Sequence, residues 1–292
     1  MRSLTPRINT VTIVPNLDKP DIPKIARELL IWMEKQGVKA LLHFDDATKL
    51  GMPELSADTD EIQKSGAVIC LGGDGTILRA VRILKGAAIP IIGVNLGRVG
   101  FLSEVEPDEM YPAMERVLAG DFSIDERMML RCVVRAGDFE HEYLALNEIA
   151  VERGCFQRML VMDVYINSVL FSTYTSDGLI FATPTGSTAY SFSAGGPVVS
   201  PANELVLLAP INPHSLFTRT VVLGARDKVD IDLTKKRFEV IIGVDGFPVL
   251  ETPIDSLSIE RADSRAHLIK LKERSFYTLF KDKLRVWDTW LR

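Results

Sequence analysis

An apolar run, Ala67-Val68-Ile69-Cys70-Leu71, passes directly into Gly72-Gly73-Asp74-Gly75-Thr76, after which Ile77, Leu78, Val81 and Leu84 recur at helical spacing. A buried strand, a glycine turn and an amphipathic helix in that order make half of a parallel βαβ unit, which commits this part of the chain to an α/β sheet. Ligands of such sheets sit at the carboxyl ends of the strands. Glycines let the backbone approach a phosphate, and a helix N-terminus offers free N–H groups and a favourable dipole. A carboxylate there repels phosphate, so Asp74 makes sense against a hydroxyl or a metal. The hexapeptide alone also allows a plain tight turn with Asp74 as helix N-cap.

The neighbouring segments extend the pattern. Residues 8–14 read as a strand, and Asp21 caps a helix with Ile22, Ile25, Leu29 and Met33 on one face, ended by Gly37. Residues 38–44 and 89–94 read as further strands. The polar stretch 45–65 reads as a loop with room for one short helix. Pro107 opens a helix with Met110, Met114, Val117 and Leu118 inward, and Gly120 stops it. Beyond Gly120 the period changes. Residues 128–135, 142–151, 159–166 and 169–174 read as strands joined by short turns. So do 179–182, 205–208, 220–223, 229–233, 238–244, 249–252 and 257–261. The expected fold is therefore a Rossmann-like α/β domain with a parallel sheet, followed by a β-rich, sandwich-like domain, with a site between them. Boundaries fall at 1–125 and 126–271. A tail from about 272 to 292 places Phe276, Leu279, Phe280, Leu284 and Trp287 on one helical face, which predicts a helix packing back on the first domain.

Composition excludes more than it identifies. At 292 residues with a net charge of −5, no basic excess advertises a nucleic-acid surface. No apolar run approaches the ~20 residues of a membrane span, and the N-terminus has no apolar signal core. Cys70, Cys132 and Cys155 are few and scattered, without metal spacing, which suits a reducing cytoplasm. His43, His141, His214 and His267 are scattered too and read as structural. No Walker A sequence and no protein-kinase motif set is present.

Three further stretches stand out. Gly93-Val94-Asn95-Leu96-Gly97-Arg98-Val99-Gly100-Phe101-Leu102 follows the strand next to the Asp74 turn and reads as a ligand loop or a plain βα loop. Leu146-Asn147-Glu148-Ile149 puts a polar pair inside an apolar strand. That is costly without partners, so one side chain faces a cleft or the pair lies at a sheet edge. In Ser176-Asp177-Gly178 through Thr183-Pro184-Thr185-Gly186-Ser187-Thr188-Ala189-Tyr190-Ser191, a strand runs into a small-residue turn that opens a short helix. Its N–H groups suit an anion or a base, and Tyr190 suits stacking; a capped helix with Tyr190 in the core is the plainer alternative.

Together these stretches resemble the NAD kinases. The GGDGT turn, the NLGRVGFL stretch, the LNE pair and the SDGLIFATPTGSTAYSFSAGGP run occur in that family's order and spacing, over nearly the whole chain. GGDG alone is shared with lipid kinases and phosphofructokinases; TPTGSTAY after an NE pair is specific. The resemblance implies magnesium-dependent transfer of a phosphoryl group from ATP or polyphosphate to the 2′-hydroxyl of the adenosine ribose of NAD, by a homodimer or homotetramer. It implies Asp74 as general base and substrate contact, beside Gly75. Gly72, Gly73, Gly75 and Thr76 fall at the donor phosphates. Asn147 and Glu148 fall at the ribose and adenine, Asp177 at the dinucleotide, and Thr188, Ala189, Tyr190, Ser191, Phe192 and Ser193 on the adenine-contacting run. Arg158 and Asp245 match further site positions. No protein side chain is implied as a direct metal ligand. Thr175 and Phe247 depart from members that carry a basic residue and a glutamine there. The rival readings are a diacylglycerol-type lipid kinase, which needs neither the NE pair nor the TPTGSTAY run, and a non-catalytic dinucleotide-binding regulator, against which Asp74 argues.

Overall fold

The computed structural model describes residues 7–96, 100–154, 158–214, 218–234, 239–250 and 254–290, Leu250 and the last seven of these for their backbone alone. Gly97, Arg98, Val99 and Cys155 lie outside the described residues, as do Phe238 and residues 251–252 of two expected strands, and the side chains of Leu284 and Trp287. The chain separates into two compact units. One runs to Glu126 and resumes at Ala266; the other is Arg127–Arg265.

The first unit alternates strand and helix: β1 (Thr10–Pro15), α1 (Ile22–Lys35), β2 (Lys39–His43), α2 (Phe44–Leu50), β3 (Ser56–Ala57), α3 (Thr59–Ile62), β4 (Ala67–Gly72), α4 (Asp74–Leu84), β5 (Pro90–Asn95) and α5 (Met110–Leu118). Its strands are buried almost throughout, as expected of a parallel sheet covered on both faces. α1 begins after Asp21, although that side chain makes no capping bond. The stretch 45–65 is more structured than its composition suggests. Asp46 of α2 is buried and held by both oxygens on Arg79 Nη2, at 2.8 and 2.9 Å, and Gly51 closes α2 in the left-handed region. Asp58 and Glu61 form a capping box at the start of α3. A polar residue paired inside the protein breaks the apolar period that would have revealed α2.

The second unit is built from β6 (Ser123–Ala136, entered from the first unit), β7 (Phe139–Ala145), β8 (Glu148–Arg153), β9 (Leu160–Ile166), β10 (Val169–Ser176), β11 (Gly178–Ala182), the single turn α6 (Tyr190–Ser193), β12 (Leu205–Ile211), β13 (Val221–Gly224), β14 (Val229–Asp232), β15 (Val240–Val244) and β16 (Phe247–Leu250). One sheet has the order β13–β12–β11–β8–β15–β16 and is antiparallel. In the other, β10, β9 and β14 lead to the last strand, β17 (Ser256–Lys270), which β6 and then β7 join. Met128, Leu130, Val164 and Ile231 of this sheet share a core with Ile149, Val151, Phe181 and Ile242 of the first, so the β-rich unit is a sandwich. The span 142–151 is two strands rather than one, broken at Leu146 and Asn147.

β17 is far longer than the expected 257–261 strand. Its end returns to the first unit, where His267 and Leu268 pair in parallel with Pro90 and Ile91. The first unit's parallel order is thus β17–β5–β4–β1–β2–β3. The chain ends in α7 (Phe276–Trp290). As expected, α7 packs on the first unit: Phe276 and Phe280 each lie 6.4 Å, ring centre to ring centre, from Phe101.

Candidate active site

In the first unit the site is the turn between β4 and α4. Gly73 occupies the N-cap position and Asp74 is the first residue of α4, so Asp74 is not a cap. Its carboxylate accepts hydrogen bonds from the backbone N–H groups of Phe101, at 2.7 Å, and Leu102, at 3.1 Å. One donor meets each oxygen, and the remaining lone pairs stay open to a further partner. Close packing forces the glycines on both sides of this contact. A Cβ on Gly100 would lie 1.8 Å from Asp74 Oδ1, and one on Gly72 would lie 2.1 Å from Thr76 Oγ1. Above Gly73 and Gly75, in contrast, a Cβ would meet nothing within 4 Å, so the backbone there is open to a ligand.

Sequence reasoning did not single out three neighbours of this turn. Asn95, at the carboxyl end of β5 and paired with Gly72, is 2 % exposed, and neither atom of its side-chain amide has a partner. Ser103 Oγ is likewise buried without one. Asn95 stood inside the NLGRVGFL stretch, and its position at a strand end was the available signal. Lys283 of α7 places its Nζ 4.5 Å from the Phe101 ring centre. Burial pushes the Lys283 pKa down, and the Asp74 charge opposes that shift.

In the second unit Asp245 is the organising residue. It sits at φ 50° in the tight turn between β15 and β16, followed by Gly246 at φ 79°. Its carboxylate accepts from the N–H groups of Leu146, Asn147 and Glu148 at 2.9, 2.7 and 3.1 Å. Those N–H groups are thereby taken from a strand ladder, which is why the polar pair lies at a strand break. From the other side Thr183 donates its N–H to the Asn147 carbonyl and its hydroxyl to the Leu146 carbonyl. Gly186 packs against Asn147 so closely that a Cβ would stand 2.1 Å from the Asn147 carbonyl oxygen.

This cradle leaves Glu148 only 6 % exposed, with Oε2 unpartnered. Burial, then the charge of Asp245, pushes the Glu148 pKa up to about 8, against the backbone N–H of Tyr190, which lowers it. Burial also raises Asp245 to about 6 despite its three N–H donors. The Tyr190 hydroxyl donates to Glu152 Oε1 at 2.5 Å, and burial followed by this bond raises its pKa to about 12. The Tyr190 ring is 37 % exposed, which contradicts the plainer expectation of a core aromatic.

Asp177 is held by Arg153 Nε at 2.9 Å and by Asn212 Nδ2 at 3.0 Å, two partners that sequence reasoning missed. Ser191 is fully buried with an unpartnered Oγ, Thr188, Ala189 and Phe192 are half-buried, and Ser193 is exposed. Arg158 is exposed. Asn147, Glu148, Asp245 and Tyr190 thus form one connected cluster, with the Asp177 charge also felt at Tyr190. Thr175 and Phe247 are both half-buried strand residues. Among the described residues no three His, Cys, Asp or Glu side chains converge as a metal-holding group.

The arrangement offers a fixed carboxylate beside an open glycine backbone, and a separate cradle of buried polar groups with a flat exposed ring. Comparison with known proteins gives this a context. Residues 11–122 match the family model of the ATP-NAD kinase N-terminal domain, and residues 146–271 that of the C-terminal domain. The NAD kinase of Moorella thermoacetica is 41 % identical over 276 residues, covering 94 % of this chain and 89 % of its own. That of Desulforamulus reducens is 36 % identical, covering 97 % and 100 %. Among solved structures, yeast NADH kinase complexed with NADH matches at a TM-score of 0.86 and 25 % identity, over 95 % of this chain and 88 % of that one. An NAD kinase from Archaeoglobus fulgidus in complex with ATP matches at 0.74 and 26 %, over 94 % and 98 %.

Proposed function

Because the chain belongs to the NAD kinase family, we propose that Asp74 is the base through which it phosphorylates NAD. The enzyme is a kinase that uses ATP to convert NAD to NADP. The oxygen of the adenosine ribose 2′-hydroxyl attacks the terminal phosphorus of ATP. The O–H bond breaks, its proton passes to the Asp74 carboxylate, and ADP leaves as the old P–O bond breaks. Such a transfer is mainly a matter of positioning and charge neutralisation. The observation that carries the assignment is the Asp74 carboxylate itself. Two backbone N–H groups fix its direction at the start of α4, and lone pairs remain for a hydroxyl.

The open backbone at Gly73 and Gly75, with Gly72 and Thr76 behind it, receives the donor phosphates at the start of α4. Asn147 and Glu148 hold the ribose and adenine. Glu148 keeps its proton near neutral pH and so can donate a hydrogen bond as well as accept one. Tyr190 stacks on the base, and Asp177, Thr188, Ala189, Ser191, Phe192, Ser193 and Arg158 complete the dinucleotide contacts. Asp245 spends both oxygens on backbone N–H groups, so its part is to shape the strand break that presents Asn147 and Glu148.

Magnesium keeps several waters and binds readily to substrate phosphates. Among the described residues no three His, Cys, Asp or Glu side chains converge as a metal-holding group, so a magnesium ion would arrive on the triphosphate and neutralise its charge. Polyphosphate remains an alternative donor for the same open backbone. A homo-oligomer is supported by Val169, Leu170 and Phe171, which are exposed in sequence on the edge strand β10. A cytoplasmic setting is supported by the buried free thiols of Cys70 and Cys132; among the described residues no helix is long and apolar enough to cross a membrane.

The test is NADP formation from NAD, ATP and magnesium by the wild type and Asp74→Asn in parallel. Removing a general base costs about 10²–10⁴-fold, or about 3–5 kcal/mol of barrier. A folded Asp74→Asn should lose activity on that scale. Turnover near wild type would remove Asp74 from the role of base. Saturable NAD binding without NADP would make the chain a regulator.

A further inference from the structure

The proposed chemistry does not use α7, yet α7 reaches the Asp74 contact by two routes. Phe101 donates its N–H to Asp74, and its ring is flanked by Phe276 and Phe280, which themselves stack at 6.2 Å. Lys283, one turn beyond Phe280 on a helix with 3.6 residues per turn, closes over the same ring at 4.5 Å. A lysine costs free energy to bury unless its charge finds compensation. Here it finds the ring face and, electrostatically, the Asp74 carboxylate. Phe101 and Leu102 belong to no helix or strand. The position of their N–H groups therefore depends on what clamps the Phe101 side chain.

We propose that α7 is the positioning element of the catalytic carboxylate: Phe276, Phe280 and Lys283 clamp Phe101 so that the Phe101 and Leu102 N–H groups hold Asp74 towards the ribose hydroxyl. Lys283 acts through Phe101 and through its charge, and it touches neither substrate. This role presupposes Asp74 as the base. It gives a use to the packing of Phe276 and Phe280 of α7 against Phe101, whose N–H meets Asp74. It also explains a lysine, rather than a third apolar residue, at the site-facing end of the aromatic cluster: a cation both caps the ring and opposes the carboxylate charge.

The experiment compares wild type, Lys283→Met, Lys283→Arg, Phe280→Ala and Asp74→Asn in steady-state kinetics and in hydrogen exchange of the Phe101 and Leu102 amides. Small displacements of a reacting group cost one to two orders of magnitude in rate, so Lys283→Met should lower kcat about tenfold, with the KM for NAD and for ATP within about twofold. Exchange at the two amides should accelerate in Lys283→Met and Phe280→Ala, while the melting temperature stays within a few degrees of wild type. Lys283→Arg, which keeps the cation over the ring, should recover both readouts. Unchanged kcat or unchanged exchange in Lys283→Met overturns the proposal, as does a loss that Lys283→Arg does not recover. Asp74→Asn separates the two levels. If it stays active, the base assignment fails and takes the catalytic role of α7 with it. If it collapses while Lys283→Met runs as wild type, only the role of α7 fails.

Discussion

Glu148 and Asp245 are the residues whose protonation folding changes most at this site. Burial raises Glu148 from 4.5 to about 8 and Asp245 from 3.8 to about 6. Between the ordinary and the raised value the folded chain binds more protons than the unfolded chain. The slope of stability with pH follows that difference, and here its sign is negative. The stabilisation is full below about pH 4, where both states are protonated, and fades as pH rises through the raised values. Glu148→Gln keeps the shape and removes the titration. The unfolding midpoint in urea should then fall less steeply between about pH 5 and 8 than in wild type, in the absence of NAD. Equal slopes in the two proteins would mean that Glu148 is ionised in the folded state. The polar pair itself was legible in the sequence, because two such residues among apolar neighbours demand partners. Its setting was not, because the partner that breaks the strand, Asp245, lies 97 to 99 residues away. The reading of Asp245 from resemblance placed it at the site without showing that its oxygens are spent on the backbone.

At the scale of elements, the site depends on turns that bring backbone against backbone. The turn after β11 packs Gly186 onto Asn147 with no room for a methyl group, whereas Gly137, in the β6–β7 turn at φ 57°, faces open space. Gly186→Ala must move the Asn147 carbonyl, a rigid backbone atom. Overpacking of this kind costs about 1–3 kcal/mol, and here it also displaces Asn147, the residue proposed to hold the ribose. It should lower the stability of the protein by that amount and raise the KM for NAD about tenfold or more. Gly137→Ala is strained only by its positive φ, a penalty of about 1–2 kcal/mol, and should leave the KM for NAD unchanged. Similar KM values for the two variants would detach the Gly186–Asn147 contact from binding. The glycine-rich run and the β4–α4 turn were legible because chain order alone makes a strand–turn–helix. α2 was not, since Asp46 is buried through its pairing with Arg79 of α4, a contact no local pattern contains. The split between β7 and β8 was hidden likewise, by hydrogen bonds from a hairpin far along the chain.

The described residues form two units, each with its own apolar core. Alternating strands and helices announced the first, and closely spaced strands the second, because each pattern repeats within a short window. The return of β17 beside β5 has no such local signature; its pairing with Pro90 and Ile91 is a property of the folded chain alone. In the proposed reaction the first unit supplies the base and the donor-phosphate backbone, and the second supplies the groups that hold the dinucleotide. That division has a kinetic consequence. Tyr190 is an exposed ring whose hydroxyl is tied to Glu152, so Tyr190→Ala removes a stacking platform from the second unit while the packed core stays intact. Aromatic stacking on a base is worth about 1–3 kcal/mol. Tyr190→Ala should therefore raise the KM for NAD by about 5- to 150-fold and leave the KM for ATP near wild type. Gly72→Ala, which drives a Cβ into Thr76 at the donor turn, should do the reverse. Calorimetry supplies a check that does not depend on turnover. A ligand at 100 times its Kd stabilises a folded protein by about 2.7 kcal/mol, so NAD at a fixed concentration should raise the melting temperature of Gly72→Ala as it does that of wild type, and that of Tyr190→Ala far less. If both substitutions raise both KM values together, the two units do not divide the substrates in this way, and Tyr190 serves the fold rather than the base of NAD.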